Sequence, residues 1–140
     1  FIELIVDLIH LHPATVRFAI NHAGTWRTVL ISDAISAAGL PDGEYSLGGL
    51  KVIVKAGVAR LESGALAGST LTLDRAVRNV TSLGYTLPEV SRMASLNPAR
   101  NLRLVGLGDV RPGYRADLVV LDDNLRVVTT IVDGEVVHGR

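Results

Sequence analysis

The strongest constraint on this chain is the order of patterns in its first 35 residues: an apolar run, a helical pattern, then a second apolar run. Ile2, Leu4, Ile5 and Val6 form the first run, broken only by Glu3. The pattern predicts a strand from Ile2 to Leu11, of the kind buried on both faces in a parallel sheet. Pro13 suits the first turn of a helix, Val16, Ala19 and Ile20 give that helix an apolar face, and Gly24 marks its stop. Val29 to Ile31 is a second buried strand, running into Ser32-Asp33-Ala34. Strand, helix and strand in this order make the βαβ unit of a parallel sheet or barrel. A strand apolar on both faces needs neighbours on both sides. With Phe1 in first place, the chain is expected to be the later part of a longer protein.

Beyond Asp33 the pattern shortens. Between Gly39 and Gly68, three segments (Tyr45 to Leu47, Lys51 to Val54, Val58 to Leu61) predict antiparallel strands, with turns at Gly48-Gly49 and Ala56-Gly57. This is a β-insertion at about residues 40–65. Ser69 or Thr70 is expected to cap a helix with Leu73, Ala76, Val77 and Val80 on its apolar face, ending near Gly84. Thr86 and Glu89 form a capping box for a further helix holding Val90, Met93 and Ala94, which Asn97-Pro98 is expected to end. From Asp109 the signals are those of strands: Ala116 to Leu121, Arg126 to Val132 and Glu135 to Val137, with a hairpin turn at Asp133-Gly134. The expected division is residues 1–108 for the αβ part and 109–140 for strands of a second, smaller β-domain.

Several function classes lose support from composition. Lys plus Arg equals Asp plus Glu at 14 each, and no basic tract occurs, so a nucleic-acid partner has no electrostatic footprint. The apolar runs are far shorter than the ~20 residues a membrane helix needs. There are no cysteines, which removes disulfides and thiolate chemistry and fits a reducing cytoplasm.

Three groups of residues could carry chemistry. Asp33 follows an apolar strand and precedes small residues. At the C-terminal end of a barrel strand such a carboxylate binds a metal or exchanges a proton, and elsewhere it caps a helix. On spacing alone both readings stand. His10 and His12, two apart on the expected strand, would share a face and a ligand, although two imidazoles fall short of a catalytic metal set. Leu66-Ala67-Gly68-Ser69 offers backbone N–H groups and a hydroxyl before a helix, either an anion-binding corner or a plain cap. His22 and His138 have no evident role.

Taken together, five segments resemble one family: the N-acetylglucosamine-6-phosphate deacetylases of the amidohydrolase superfamily. They are Val6-Asp7-Leu8-Ile9-His10, Ser32-Asp33-Ala34, Leu66 to Thr72, Met93 to Arg100, and Pro112 to Val119. The last two are shared widely in the superfamily; the first three, with Gly39 to Gly43 and Leu47-Gly48-Gly49, point to the deacetylase. The resemblance implies an α/β fold, the C-terminal part of a (β/α)8 TIM barrel plus strands of a small β-sandwich domain assembled from both chain ends. It implies hydrolysis of the acetamide of N-acetylglucosamine 6-phosphate to glucosamine 6-phosphate and acetate, in cytoplasmic amino-sugar metabolism. Asp33 falls on the family's catalytic aspartate, and His10 on a histidine that contacts the sugar phosphate. Asp7, Ile9, Leu66, Ala67, Gly68 and Ser69 fall on segments that line the substrate.

The cofactor implied is a divalent metal ion, zinc or iron in type, with its ligands upstream of these residues and none within them. That leaves the isolated chain expected to be inactive, with the missing N-terminal part as its partner. Dimers are common in the family, so a homodimer is a further expectation. The family usually has glycine where Leu8 stands. Another amidohydrolase, a cyclic amidohydrolase or a deaminase, would share the Asp33 chemistry with a different pocket around His10 and Ser69. A non-catalytic barrel fragment is the reading from another class.

Overall fold

The structure, a computed structural model, describes residues 1–139. Strands β1 (Ile2–Ile5) and β2 (Thr28–Ile31) pair in parallel, from Ile2 opposite Thr28 to Ile5 opposite Ile31, and helix α1 (Pro13–Ala23) connects them. Pro13 opens α1, where its missing N–H costs nothing, and the His12 ring accepts the Ala14 N–H at 3.2 Å. Val16, Ile20 and Ala23 bury one helix face, and Gly24 (φ 84°) closes the helix. The expected strand to Leu11 is cut short after Ile5. The chain bends instead through residues 7–11, because the Asp7 carboxylate offers the following N–H groups a nearer partner than a neighbouring strand does. His10 and His12 therefore do not share a strand face.

After β2 the chain turns through residues 36–39 and enters an antiparallel sheet, β3 (Gly43–Leu47), β4 (Leu50–Lys55) and β5 (Val58–Leu61). Val52, Val54 and Ala59 from this sheet pack with Ile35, Ala37 and Ala67 into a small core of their own. Helix α2 (Leu73–Ser82) starts later than expected: Thr72 is its N-cap, and Ser69 is occupied elsewhere. The main core joins β1, α1 and α2 through Leu4, Val6, Ile20, Leu71 and Val80, with Val90 and Met93 from the next helical segment.

Helix α3 (Leu87–Ser91) carries the capping box of Thr86 and Glu89, as the spacing predicts. The helical run does not stop at proline. A π-helical turn, Arg92–Leu96, runs directly into α4 (Asn97–Asn101), with Pro98 in the first turn of α4. In the wider turn the Asn97 N–H reaches back five residues to Arg92 O, and Pro98 falls in the first turn of α4, where its missing N–H is tolerated. Asn97, fully buried, donates Nδ2 to Thr25 O at 2.7 Å and Thr28 O at 2.6 Å, fastening the start of β2.

The last sheet is antiparallel: β6 (Leu118–Leu121), β7 (Val127–Val132) and β8 (Glu135–His138), with Asp133 (φ 52°) and Gly134 (φ 84°) in the hairpin turn. Neighbouring residues on a strand point to opposite faces. Val119 and Val120 are 54% and 48% exposed, and Val136 and Val137 are 56% and 60% exposed, so both faces present apolar surface. Among the described residues no helix is long and apolar enough to cross a membrane.

Candidate functional site

The site forms where parallel strands end together. The parallel ladder ends with Ile5 opposite Ile31, and Asp7 and Asp33 each follow two residues beyond it. Parallel pairing places both carboxylates on the C-terminal rim of the sheet, where α/β folds build their sites.

Asp7 is 6% exposed and holds the turn that comes after it. Its Oδ1 accepts the N–H groups of Ile9 and His10, both at 2.9 Å, and its Oδ2 lies 2.7 Å from Nδ1 of His10. Burial works to raise the Asp7 pKa, yet the hydrogen bonds from His10 and Ile9 outweigh it, and the carboxyl lies below its ordinary value. An ionised carboxylate only accepts, so Nδ1 carries the proton of that contact and the ring orientation is fixed. Leu8, at the apex, has φ 64°, a conformation that costs a side-chain-bearing residue roughly 1–2 kcal/mol. This is the physical reason glycine suits the position. Asn79 of α2 donates to Val6 O at 2.8 Å, tying the start of the turn to the main core.

Asp33 sits at the end of β2 with φ 49°, its side chain in solvent. No helix follows it, so the capping alternative has no helix to cap. Residues 67–70 run alongside this segment and join it through one isolated bridge. Ser69 N–H donates to Asp33 O at 2.8 Å, Ile35 N–H donates to Ser69 O at 2.9 Å, and Ala34 and Ser69 form a parallel bridge. The Ser69 hydroxyl, on a residue only 3% exposed, donates to Ser32 O and accepts Leu71 N–H at 3.0 Å. It is therefore a clasp between the two segments. Gly68 has φ 61°, and a Cβ there would meet Ile35 Cγ2 at 2.7 Å and Asp33 O at 3.0 Å. Asp33 Oδ2 would lie 3.8 Å from that same Cβ, so the carboxylate stands beside Gly68.

A narrow, closely packed surface cleft lies against these segments. Asp7, Ile9, His10, Leu66, Gly68 and Ser69 line it. Ala67, singled out in the same segment, belongs instead to the small core, with its N–H on Ala59 O at 3.1 Å. Asp33 borders the cleft through Gly68 rather than lining it. Four lining residues were not visible from sequence: Gly57, Val58, Ala59 and Thr70. They come from the β4–β5 turn, the start of β5 and the residue after Ser69, and the insertion thus contributes a wall to the cleft.

Among the described residues no three His, Asp or Glu side chains converge as a metal site. His10 is engaged by Asp7, and Asp33 offers a single carboxylate. These donors do not by themselves fit a catalytic metal, which takes three protein ligands and an open position.

Against known proteins, the sequence model of the Amidohydrolase family matches residues 3–137. The N-acetylgalactosamine-6-phosphate deacetylase of Escherichia coli O157:H7 is 48% identical over 137 residues, covering 96% of this chain and 36% of that protein. A shorter relative from Escherichia coli (strain K12) is also 48% identical over 137 residues, 81% of its length. The crystal structure of N-acetylglucosamine-6-phosphate deacetylase from Thermotoga maritima superposes with a TM-score of 0.94 at 45% identity, covering 99% of this chain and 38% of that one. The chain thus spans little more than a third of the length of the first and third of these proteins.

Proposed function

Because the chain belongs to the amidohydrolase family, we propose that it carries the acid–base side of an active site that removes the acetyl group from N-acetylglucosamine 6-phosphate. The products are glucosamine 6-phosphate and acetate. Its α/β fold is part of the (β/α)8 barrel of that family, whose members are generally metal-dependent. The observation that carries the reading is the convergence on one strand-end rim of the Asp7–His10 turn, Asp33, and the Leu66–Ser69 segment.

An amide is a poor electrophile with a poor leaving group, so its hydrolysis needs an activated water and a proton delivered to nitrogen. In this reading a divalent ion, zinc or iron in type, is held by the part of the protein outside these residues and supplies a water of lowered pKa. Asp33 accepts a proton at a carboxylate oxygen and returns it to the leaving amine. Its place supports that role: an exposed carboxylate beside Gly68, with its backbone locked by Ser69. His10, oriented by Asp7, contacts the phosphate, and Ile9, Leu66, Gly68 and Ser69 shape the surface for the sugar, with Ala67 packed in the core behind them. A division into residues 1–108 and 109–140 accompanies the reading. So does a cytoplasmic setting, since a phosphorylated sugar does not cross a bilayer unaided. The partners are the sugar phosphate, the remainder of a longer protein and a second copy of the chain. The exposed valines of β6–β8 support a covering partner.

The test places these 140 residues in the matching segment of the Thermotoga maritima deacetylase and monitors acetate release. Asp33→Asn should lower kcat by roughly 10²–10⁴ and leave KM within about threefold. Near-normal turnover in that variant removes Asp33 from the chemistry. Metal-dependent acetate release by the verified 140-residue chain alone would remove the need for upstream ligands.

A further inference from the structure

We propose that the segment Ala56–Ala59, the β4–β5 turn with the start of β5, is the wall that sets which sugar the cleft accepts, and that Asp42 and Thr70 are the positioning residues that hold it. The inference rests on the proposed function, in which the cleft takes a phosphorylated N-acetylhexosamine.

Gly57, Val58 and Ala59 line the cleft together with Asp7, Ile9 and His10. A hairpin tip is ordinarily the loosest part of a sheet, but this one is gripped from two sides. Ala56 (φ 51°) and Gly57 (φ 71°) are both left-handed, which turns their N–H groups the same way. The Asp42 carboxylate accepts both, at 2.5 Å from Ala56 N and 3.1 Å from Gly57 N. From the opposite side, the Thr70 hydroxyl donates to Gly57 O at 2.6 Å. Thr70 follows Ser69, whose bridge to Ala34 lies beside Asp33, so the wall and the floor of the cleft are joined directly.

The grip has a chemical consequence. The N–H and C=O of Gly57 are engaged by Asp42 and Thr70, and Ala59 O accepts the N–H of Ala67. The Gly57 N–H has no hydrogen bond left for a ligand, and both carbonyls already have a donor from the protein. The wall presents shape, chiefly the Val58 side chain, whereas the Asp7–His10 turn presents polar groups. A ligand that fits has a charged end for His10 and an apolar C–H face for Val58, as a phosphorylated N-acetylhexosamine does. A rigid apolar wall selects between stereoisomers by collision, and the relatives are named for two sugars that differ at one carbon.

The experiment monitors the amide resonances of these 140 residues, segmentally labelled within the Thermotoga maritima deacetylase that carries them, on addition of N-acetylglucosamine 6-phosphate, its C4 epimer N-acetylgalactosamine 6-phosphate, or inorganic phosphate. Both sugars should move the Gly57–Ala59 amides together with those of Ile9 and His10. Inorganic phosphate should move His10 and leave Gly57–Ala59 still. Val58→Ala, with an unchanged melting temperature, should alter the ratio of the two sugar dissociation constants by about tenfold, the scale of a methyl group in a fitted pocket. Asp42→Ala should speed hydrogen exchange at Ala56 and Gly57 by about tenfold, with partial recovery in Asp42→Asn, which keeps one acceptor oxygen. Sugar-induced shifts at Ile9, His10 and Leu66–Ser69 with none at Gly57–Ala59 would overturn the wall and leave the reading of the cleft intact. So would Val58→Ala constants within twofold of the wild type for both sugars. No shift anywhere with either sugar would overturn that reading, and the wall with it.

Discussion

Replacing Asp7 by alanine removes one side chain from three donors. Two are backbone N–H groups at 2.9 Å, and the third is the His10 ring nitrogen at 2.7 Å. Hydrogen bonds to a charged group contribute about 1.5–3 kcal/mol each, but donors sharing one carboxylate are coupled and do not sum. Ile9 is exposed, and water replaces the carboxylate at its N–H. That leaves about 3 kcal/mol for the rest, against a total stability of roughly 5–15 kcal/mol. The strain at Leu8, held in place by the same bonds, makes the turn open rather than slacken. Urea unfolding monitored by circular dichroism reads the loss. With a slope of about 1–3 kcal/mol/M the midpoint should fall by roughly 1–3 M. The effect should also depend on pH with a definite sign. The Asp7 carboxyl is depressed in the folded state, so its contribution is complete above the unfolded value of about 3.9 and is lost as pH falls through the folded value. Wild type and Asp7→Ala should therefore converge in strong acid. A midpoint unchanged at pH 7, or a gap that persists unaltered into strong acid, would refute the reasoning.

Other perturbations have similarly readable outcomes. At Leu8 the usual order of alanine over glycine should invert: Leu8→Gly relieves the left-handed strain and should be more stable than Leu8→Ala by about 1 kcal/mol in thermal unfolding. Gly68→Ala should lose about 1–3 kcal/mol, because its Cβ would collide with Ile35 and with the Asp33 carbonyl. The Ser69 and Ile35 amides should lose exchange protection in the same variant. Asn97→Ala should cost about 2–3 kcal/mol by leaving the carbonyls of Thr25 and Thr28 without their donor. In that variant the loss should appear as faster exchange along β2 rather than in β3–β5.

The elements legible in the sequence are those set by local chemistry. Pro13 and Gly24 bound α1, Thr86 and Glu89 begin α3, and Asp133-Gly134 closes the last hairpin, each through a side chain or backbone preference acting within a few residues. The misreadings share the opposite cause. Pro98 continues a helix because it falls in the first turn of α4, directly after a π turn, which no local preference announces. Ser69 does not cap α2, because its hydroxyl reaches Ser32, 37 residues away in sequence. Asp7 shortens β1 by outcompeting a neighbouring strand for two amides. The cleft was half legible for the same reason. Its polar segments stand out as residue types at strand ends, whereas the wall at Gly57–Ala59 consists of small residues whose importance depends on Asp42 and Thr70, 15 and 13 residues from Gly57.

The two rim aspartates make opposite use of equivalent places. Each two residues past the end of its strand, Asp7 turns inward onto donors and Asp33 turns out into solvent. Every donor on a carboxylate stabilises its ionised form and lowers its affinity for a proton. Asp7, with three donors, is thereby suited to orienting His10 and unsuited to exchanging protons with a substrate. Among the described residues no hydrogen bond holds the Asp33 carboxylate; the lock at Asp33 acts on its backbone, through Ser69 N–H. A proton-transfer group needs that combination of a fixed main chain and an uncommitted oxygen, because a group already satisfied by the protein must break a bond before it can form one to substrate. In the proposed function, the division of labour between orienting and transferring groups thus depends on which of two strand-end carboxylates the fold supplies with donors.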